Sequence, residues 1–312
     1  MSSSAESFLA RFRLPLIAAP MTGVSGLALA SAASECGIGG SFPVHNAAST
    51  AELDRWLGEL GEGPGPVLPN LVVHRTNARR NDDLEVIIAH RVPAVITSVG
   101  SPAHVVGPLH DAGIRVLSDV GSMRHVERAI AAGVDGLVLL TAGAGGQTGW
   151  ANPFAFVRAV RRIWDGPVIM AGGITDGASM AGAIVAGCDL VYMGTPFIAT
   201  VESDAHPSYK DAVVRSSMDD IELTSELTGL PTSMIRPPVE GSESRSTRSE
   251  FDALVLGGGD QQDLSVQAQM FSAGHGVSGV DGIVSVAELV GRVEQEFRTA
   301  LSSLPIADAL DA

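Results

Sequence analysis

The sequence predicts an α/β chain folded as a closed (β/α)8 TIM barrel, with a mostly helical insertion after the eighth strand. Three observations carry this expectation. Eight short apolar runs alternate with amphipathic stretches, one helix-end, turn and strand-start phrase is written three times, and 312 residues with 45% hydrophobic content can enclose one large core. The runs are Leu14–Ala19, Gly37–Phe42, Val67–Val73, Ala94–Val99, Arg115–Val120, Asp135–Leu140, Pro167–Ala171 and Asp189–Met193. They lack polar alternation, as parallel strands covered on both faces do. Eight of them match a closed barrel, and an open doubly wound sheet is the alternative.

The connecting helices carry start and stop signals. Ser122, Asn152 before Pro153, and Asp176 are expected N-caps, and Gly113, Gly133 and Gly187 stand where left-handed C-caps end helices. The repeated phrase is DAGIRVL, AAGVDGLVLL and VAGCDLVYM. After the eighth run the spacing breaks down. Residues 1–195 are read as the barrel strands, 196–283 as an insertion covering the active face, and 284–312 as the last barrel helix with a tail. Within the insertion, Tyr209–Asp220 looks helical, and polar GSESRSTRSEF and GGGDQQD follow.

Composition narrows the function. A formal charge of −15 argues against a surface that tracks nucleic-acid phosphates. The start MSSSAESFLARF lacks the basic and apolar regions of a secretion signal, and no apolar run reaches the ~20 residues of a membrane span. Cys36 and Cys188, the two cysteines, sit in apolar, glycine-rich surroundings and read as buried, reduced thiols, with no metal site. A cytoplasmic enzyme with a small-molecule substrate is expected, a homodimer being one open assembly state.

In such barrels chemistry gathers where strands end. Met21-Thr22-Gly23, His45-Asn46, Asn70 with His74, Thr97-Ser98, Asp119, Thr141–Gly149, Gly172-Gly173 and Gly194-Thr195 follow the eight runs in turn. The last two pairs carry most weight. Glycine turns between strand and helix let backbone N–H groups close on a phosphate, and two on neighbouring strands would form a shared cup.

These motifs together resemble the nitronate monooxygenase (2-nitropropane dioxygenase) family. The resemblance runs through PMTG at 20–23, Asn70 in PNLVV, AGAGGQTG at 142–149, AGGI at 171–174, MGTPFIATVES at 193–203 and SAGHGV at 272–277. It implies an FMN-dependent oxidoreductase in a superfamily that also holds flavin-dependent enoyl-thioester reductases. It further implies that Met21 and Gly23 lie against the flavin ring, that Asn70 bonds to it, and that Gly172, Gly173, Gly194 and Thr195 hold the phosphate. Asp119 is placed near the ring edge, and Gly145 and Gly146 beside the cofactor.

One position departs from the pattern. Members acting on nitronates carry a histidine in an AGGH-like motif, and here Gln147 stands in its place. Glutamine cannot take a proton but can orient a carbonyl or nitro group. If a base is needed, His45 and His275 are the candidates. Oxidation of a nitronate or related carbon acid, with oxygen regenerating the flavin, therefore competes with reduction of a conjugated double bond, in which NAD(P)H binds transiently. A sugar-phosphate isomerase or aldolase is disfavoured, because no lysine or paired carboxylates stand at strand ends. A flavin-binding protein without turnover stays open.

Overall fold

The computed structural model describes residues 3–61, 63–225, 229–236 and 271–303. Eight parallel strands close in the order β1 (Leu16–Ala18), β2 (Gly39–Pro43), β3 (Val67–Val72), β4 (Ala94–Ser98), β5 (Arg115–Val120), β6 (Gly136–Leu140), β8 (Val168–Ala171) and β9 (Leu190–Met193). Pairing of Ala18 with Met193 seals the seam. The intervening β7 is only Gly146–Gln147 and stands outside the barrel.

The repeated phrase has a physical reason. At the start of β6, the Asp135 carboxylate accepts from Val116 N at 2.8 Å while its own N–H donates to Val116 O. Ahead of β9, Asp189 does the same with Val168, its carboxylate accepting at 2.8 Å. Each aspartate ties its strand to the preceding one at the barrel's closed end. Arg161 then bonds the Asp189 carboxylate and the carbonyls of Gly187 and Gly166. The expected caps are present: Ser122, Asn152 and Asp176 accept from backbone N–H groups three residues on, and Gly133 and Gly187 adopt left-handed conformations.

Side chains alternate along each strand, and the inward set forms its own core: Ile17, Leu68, Ile96, Leu117, Val138, Ile169 and Leu190. A helix absent from the sequence reading, Ser3–Leu9, brings Phe8 to this core. Phe8 lies edge-on to Phe12 and beneath the Arg115 guanidinium. Because Arg115 opens β5, this helix closes the N-terminal end of the barrel and leaves the C-terminal end for function. A second, larger core lies between strands and helices. The final helix, Val286–Ser302, packs on Gly177–Ala186 so closely that a β-carbon at Gly177 would lie 2.1 Å from Phe297 N.

The described part of the insertion is helical in the larger share and adds a small sheet that the sequence reading did not include. It holds a helix, Pro207–Arg215, and two 3-10 turns, but also an antiparallel pair, β10 (Ile221–Thr224) with β11 (Thr232–Ile235). The pair was not foreseen because β10 is half solvated and lacks a hydrophobic run. β11 continues onto β7, Thr232 facing Gln147, so the insertion is stitched to the loop after β6. The helical reading of Tyr209–Asp220 corresponds to Pro207–Arg215 followed by the turn Met218–Asp220. GSESRSTRSEF and GGGDQQD lie outside the described residues. Lys210, the chain's one lysine, donates to the carbonyls of Thr200 at 2.6 Å and Ser203 at 2.7 Å, bracing the helix Pro207–Arg215 against the opening segment of the insertion.

The aspartate anchor at β9 leads to a stability test. Arg161→Ala leaves the largely buried Asp189 carboxylate without its cation and is expected to cost about 3 kcal/mol. Urea unfolding of the two proteins checks it. A loss below about 0.5 kcal/mol would mean that the ion pair behaves like a surface one.

Candidate active site

Two residues beyond each core position, the inward layer comes to the barrel's mouth. Ala19, Asn70, Ser98, Asp119, Leu140, Ala171 and Tyr192 are these positions, and all seven line one cavity of about 1320 Å³. The layer is the cavity floor. Its polar members on β3 and β4 are joined, Ser98 Oγ donating to Asn70 Oδ1 at 3.2 Å. Asn70 Nδ2 reaches the Ile96 carbonyl only at 3.4 Å, so its amide group retains capacity toward the cavity.

Asp119 and Tyr192 are different. Among the described residues, neither Asp119 Oδ1 nor the Tyr192 hydroxyl has a hydrogen-bond partner, although both are buried. Burial pushes the Asp119 carboxyl up to about 7. It raises the Tyr192 phenol too, with the Asp119 charge adding to the effect. Tyr192 was not singled out from sequence, where it reads as one residue of an apolar strand.

The glycine turns form one wall. Gly172 and Gly173 have φ of 125° and 71°, which side chains rarely tolerate. A β-carbon at Gly172 would also strike Thr141 Oγ1 at 2.4 Å. Gly194 has φ −111° and opens into a short helical turn. The amides of Gly173, Gly194 and Thr195 make no hydrogen bond to any described residue, and all three residues line the cavity. Thr195 Oγ1 is engaged by Gly274 N at 3.0 Å, which docks the insertion's return segment on the turn.

Beside the Gly194 turn, across the β1–β9 seam, Asn46 shapes the loop after β1. Its Nδ2 donates to the carbonyls of Met21 and Ser25, both at 2.9 Å, and its Oδ1 accepts from Gly23 N at 3.0 Å. Met21 and Gly23 thereby line the cavity. His45 is also there: Nε2 lies 3.0 Å from Thr22 Oγ1, and Nδ1 is buried without a partner. Burial, aided by Arg79, pulls its imidazole down to about 4, so it is neutral at neutral pH and can accept a proton only weakly.

Gln147 lines the cavity from β7, with Gly145 and Gly146 beside it. Gly145 permits close packing, since a β-carbon there would lie 2.8 Å from Gly274 N. His275 is not brought into the site. It is exposed, lies outside the cavity lining, and its N–H donates to the Gly143 carbonyl at 3.0 Å. His74 is likewise outside, bonded to Thr76. The insertion adds an aromatic wall that sequence reasoning missed. Tyr209 and Phe271 stack at 4.7 Å and 7°, and the Tyr209 hydroxyl donates to the Ser272 carbonyl. Trp150, 83% exposed, stands at the rim with Leu223 and Leu230.

A floor of unpaired polar atoms, a wall of free amides and an apolar rim suit a ligand with a phosphate, a polar heterocycle and a second molecule above it. The chain is similar to several known proteins. Across 93% of this chain and 94% of its own length, the nitronate monooxygenase of Paraburkholderia phytofirmans is 26% identical. The (3aS,4S,5R,7aS)-5-hydroxy-7a-methyl-1-oxo-octahydro-1H-indene-4-carboxyl-CoA dehydrogenase of Mycobacterium tuberculosis is 26% identical over 80% of this chain and 71% of its own. FabK from Thermotoga maritima superposes with a TM-score of 0.80 at 26% identity, covering 97% of this chain and 98% of FabK. The nitronate monooxygenase family model matches residues 68–296, nearly three quarters of the sequence. The chain is an oxidoreductase and belongs to the nitronate monooxygenase family.

Proposed function

We propose that this oxidoreductase uses FMN to oxidise a small nitronate or related activated carbon acid. The observation that carries the reading is the pair of glycine turns, where three residues whose amides bond to no described residue line a cavity floored by Asn70, Asp119 and Tyr192. The donor set fits the group: amides of Gly173, Gly194 and Thr195 would hold its phosphate, with Gly172 keeping the turn open, while Met21, Gly23 and Asn70 would border its ring. When bound, FMN supplies transfer of an electron pair from the substrate, with oxygen as final acceptor.

The chain's own residues position and select. Gln147, fixed by β7–β11 pairing, can donate an N–H to a nitro or carbonyl oxygen but cannot remove a proton. A pre-formed nitronate has already lost its proton, so such a site can receive it, whereas a neutral nitroalkane requires a base. Tyr209 and Phe271 supply an apolar wall that limits water. Gln147 also favours a second reading: NAD(P)H-dependent reduction of a conjugated double bond, in which the substrate needs orientation rather than deprotonation. The relative named as a carboxyl-CoA dehydrogenase keeps thioesters among its candidate substrates.

Gly194→Val tests the phosphate cup. The backbone there suits any residue, and a β-carbon meets only Met21 Sδ at 3.5 Å and Ala19 Cβ at 3.6 Å. The variant is expected to fold while FMN affinity falls about tenfold or more, as branched methyls crowd the cup. Retention of full flavin content would refute it. Anaerobic addition of nitronates, NADH or NADPH, followed by flavin absorbance, separates the two readings by which reagent bleaches the protein.

Gln147→His tests the role of the amide. Turnover of a neutral nitroalkane is expected to rise relative to its nitronate, by about 10²-fold if the imidazole is well supported. The control is wild-type turnover of the neutral form at a pH where little nitronate exists. Rapid turnover there would mean that another group in the cavity supplies the base.

A further inference from the structure

Two buried polar atoms on the cavity floor, Asp119 Oδ1 and the Tyr192 hydroxyl, have no partner among the described residues. A buried polar atom without a partner is destabilising, and such groups persist where a ligand completes them. They are not bonded to each other, and they rise from β5 and β9, separated around the barrel by β6 and β8. Between them the floor offers only Leu140 and Ala171. Both residues line the cavity on either side of this apolar strip, over which a flat molecule can settle. Tyr192 stands two residues before Gly194, on the strand that ends in the phosphate cup.

We propose that Asp119 and Tyr192 form a two-donor clamp for a hydrogen-bond-accepting edge, a carbonyl oxygen or ring nitrogen, of the heterocycle bound on this floor. The inference rests on the FMN reading above and adds what the floor does to that ring. The clamp requires a neutral carboxyl, because a carboxylate has no proton to donate and repels an electron-rich edge. Burial keeps Asp119 neutral up to about pH 7. A neutral carboxyl beside a tyrosine hydroxyl is a known way to stabilise developing negative charge in an apolar site. Two neutral donors would hold the reduced, more electron-rich ring better than a carboxylate could. Asp119 and Tyr192 are thus positioning residues that couple cofactor binding to pH.

The sign follows directly. Below about pH 7 the carboxyl is protonated and the clamp complete, and above it the clamp fails progressively. Other charged or titratable groups lining the cavity are His45, His125, Arg128, Asp204, His206 and Tyr209. The Asp119 shift arises from burial alone, and Tyr192 is the group that feels its charge.

FMN titrations of the apoprotein between pH 6 and 9, read by quenching of flavin fluorescence, test the clamp on the wild type, Asp119→Asn, Asp119→Leu and Tyr192→Phe. Wild-type Kd is expected to rise above pH 7, by up to about tenfold per pH unit. Asp119→Asn keeps a donor and should bind with near wild-type low-pH affinity without that rise. Titration of the FMN phosphate near pH 6 and of the other cavity groups is common to both proteins and cancels in their ratio. Asp119→Leu and Tyr192→Phe should each weaken low-pH binding by about three- to tenfold, with only Tyr192→Phe keeping the pH dependence. Asp119→Asn differs little in size from the native residue and removes a buried acid, and its urea midpoint confirms folding. A flat wild-type to Asp119→Asn ratio together with unchanged Tyr192→Phe affinity overturns the clamp while leaving the flavin reading intact. A wild type that quenches no FMN at any pH overturns both.

Discussion

Closure of eight parallel strands is the constraint on which everything else in this molecule depends. Once Ala18 pairs with Met193, no barrel edge remains and the alternation of side chains is locked around the ring. Inward positions then fall into layers. The lower ones are filled by aliphatic residues and plugged by Phe8. The uppermost has nothing above it, and there the sequence changes from Leu and Ile to Asn70, Ser98, Asp119 and Tyr192. The site is what remains where core filling stops.

Electrostatics at this floor follow from the same closure. A carboxyl on an open sheet edge would be hydrated and ionised. On β5, Asp119 loses water without gaining a cation, and its carboxyl stays neutral to about 7. His45 loses water too, and for a base the consequence is opposite: its imidazole is held neutral down to about 4. Two groups whose ordinary ranges lie on either side of pH 5 thus change order, the acid titrating above the base. The chain's surface charge of −15 plays no visible part in this inversion, which is local.

The insertion completes the site by attaching itself to the barrel at several points. Gly274 donates to Thr195 and β11 adds to the two-residue strand carrying Gln147, while Lys210 braces the insertion's own opening segment through the Thr200 and Ser203 carbonyls. Residues that would border a substrate therefore come from segments far apart in the chain. Gln147 belongs to the loop after β6, whereas Tyr209 and Phe271 lie before and after the antiparallel pair. The backbone at Gln147 is held by that pairing, which ties the departure from the family pattern at this position to the insertion.

Much of this was legible in the amino-acid order. All eight barrel strands lie within the apolar runs or differ by a residue or two, because a strand buried on both faces needs continuous apolar character. The caps at Ser122, Asn152 and Asp176, and the left-handed glycines at Gly133 and Gly187, could be placed because capping is local chemistry. The glycine turns and the strand-end residues Met21, Asn70 and Asp119 were locatable for the same reason. What only the tertiary structure decided concerns direction and distance in sequence. Tyr192 looks like any strand residue until closure turns it inward. His275 sits in a glycine-rich loop that resembles a lid, yet its backbone pairing with Gly143 leaves the ring outside the cavity. β7 is too short to carry a periodicity, and Phe8 reads as part of an ordinary amphipathic start. Local sequence sets which conformations each segment can adopt, but which face of each segment meets the cavity is settled by contacts between residues far apart in the chain.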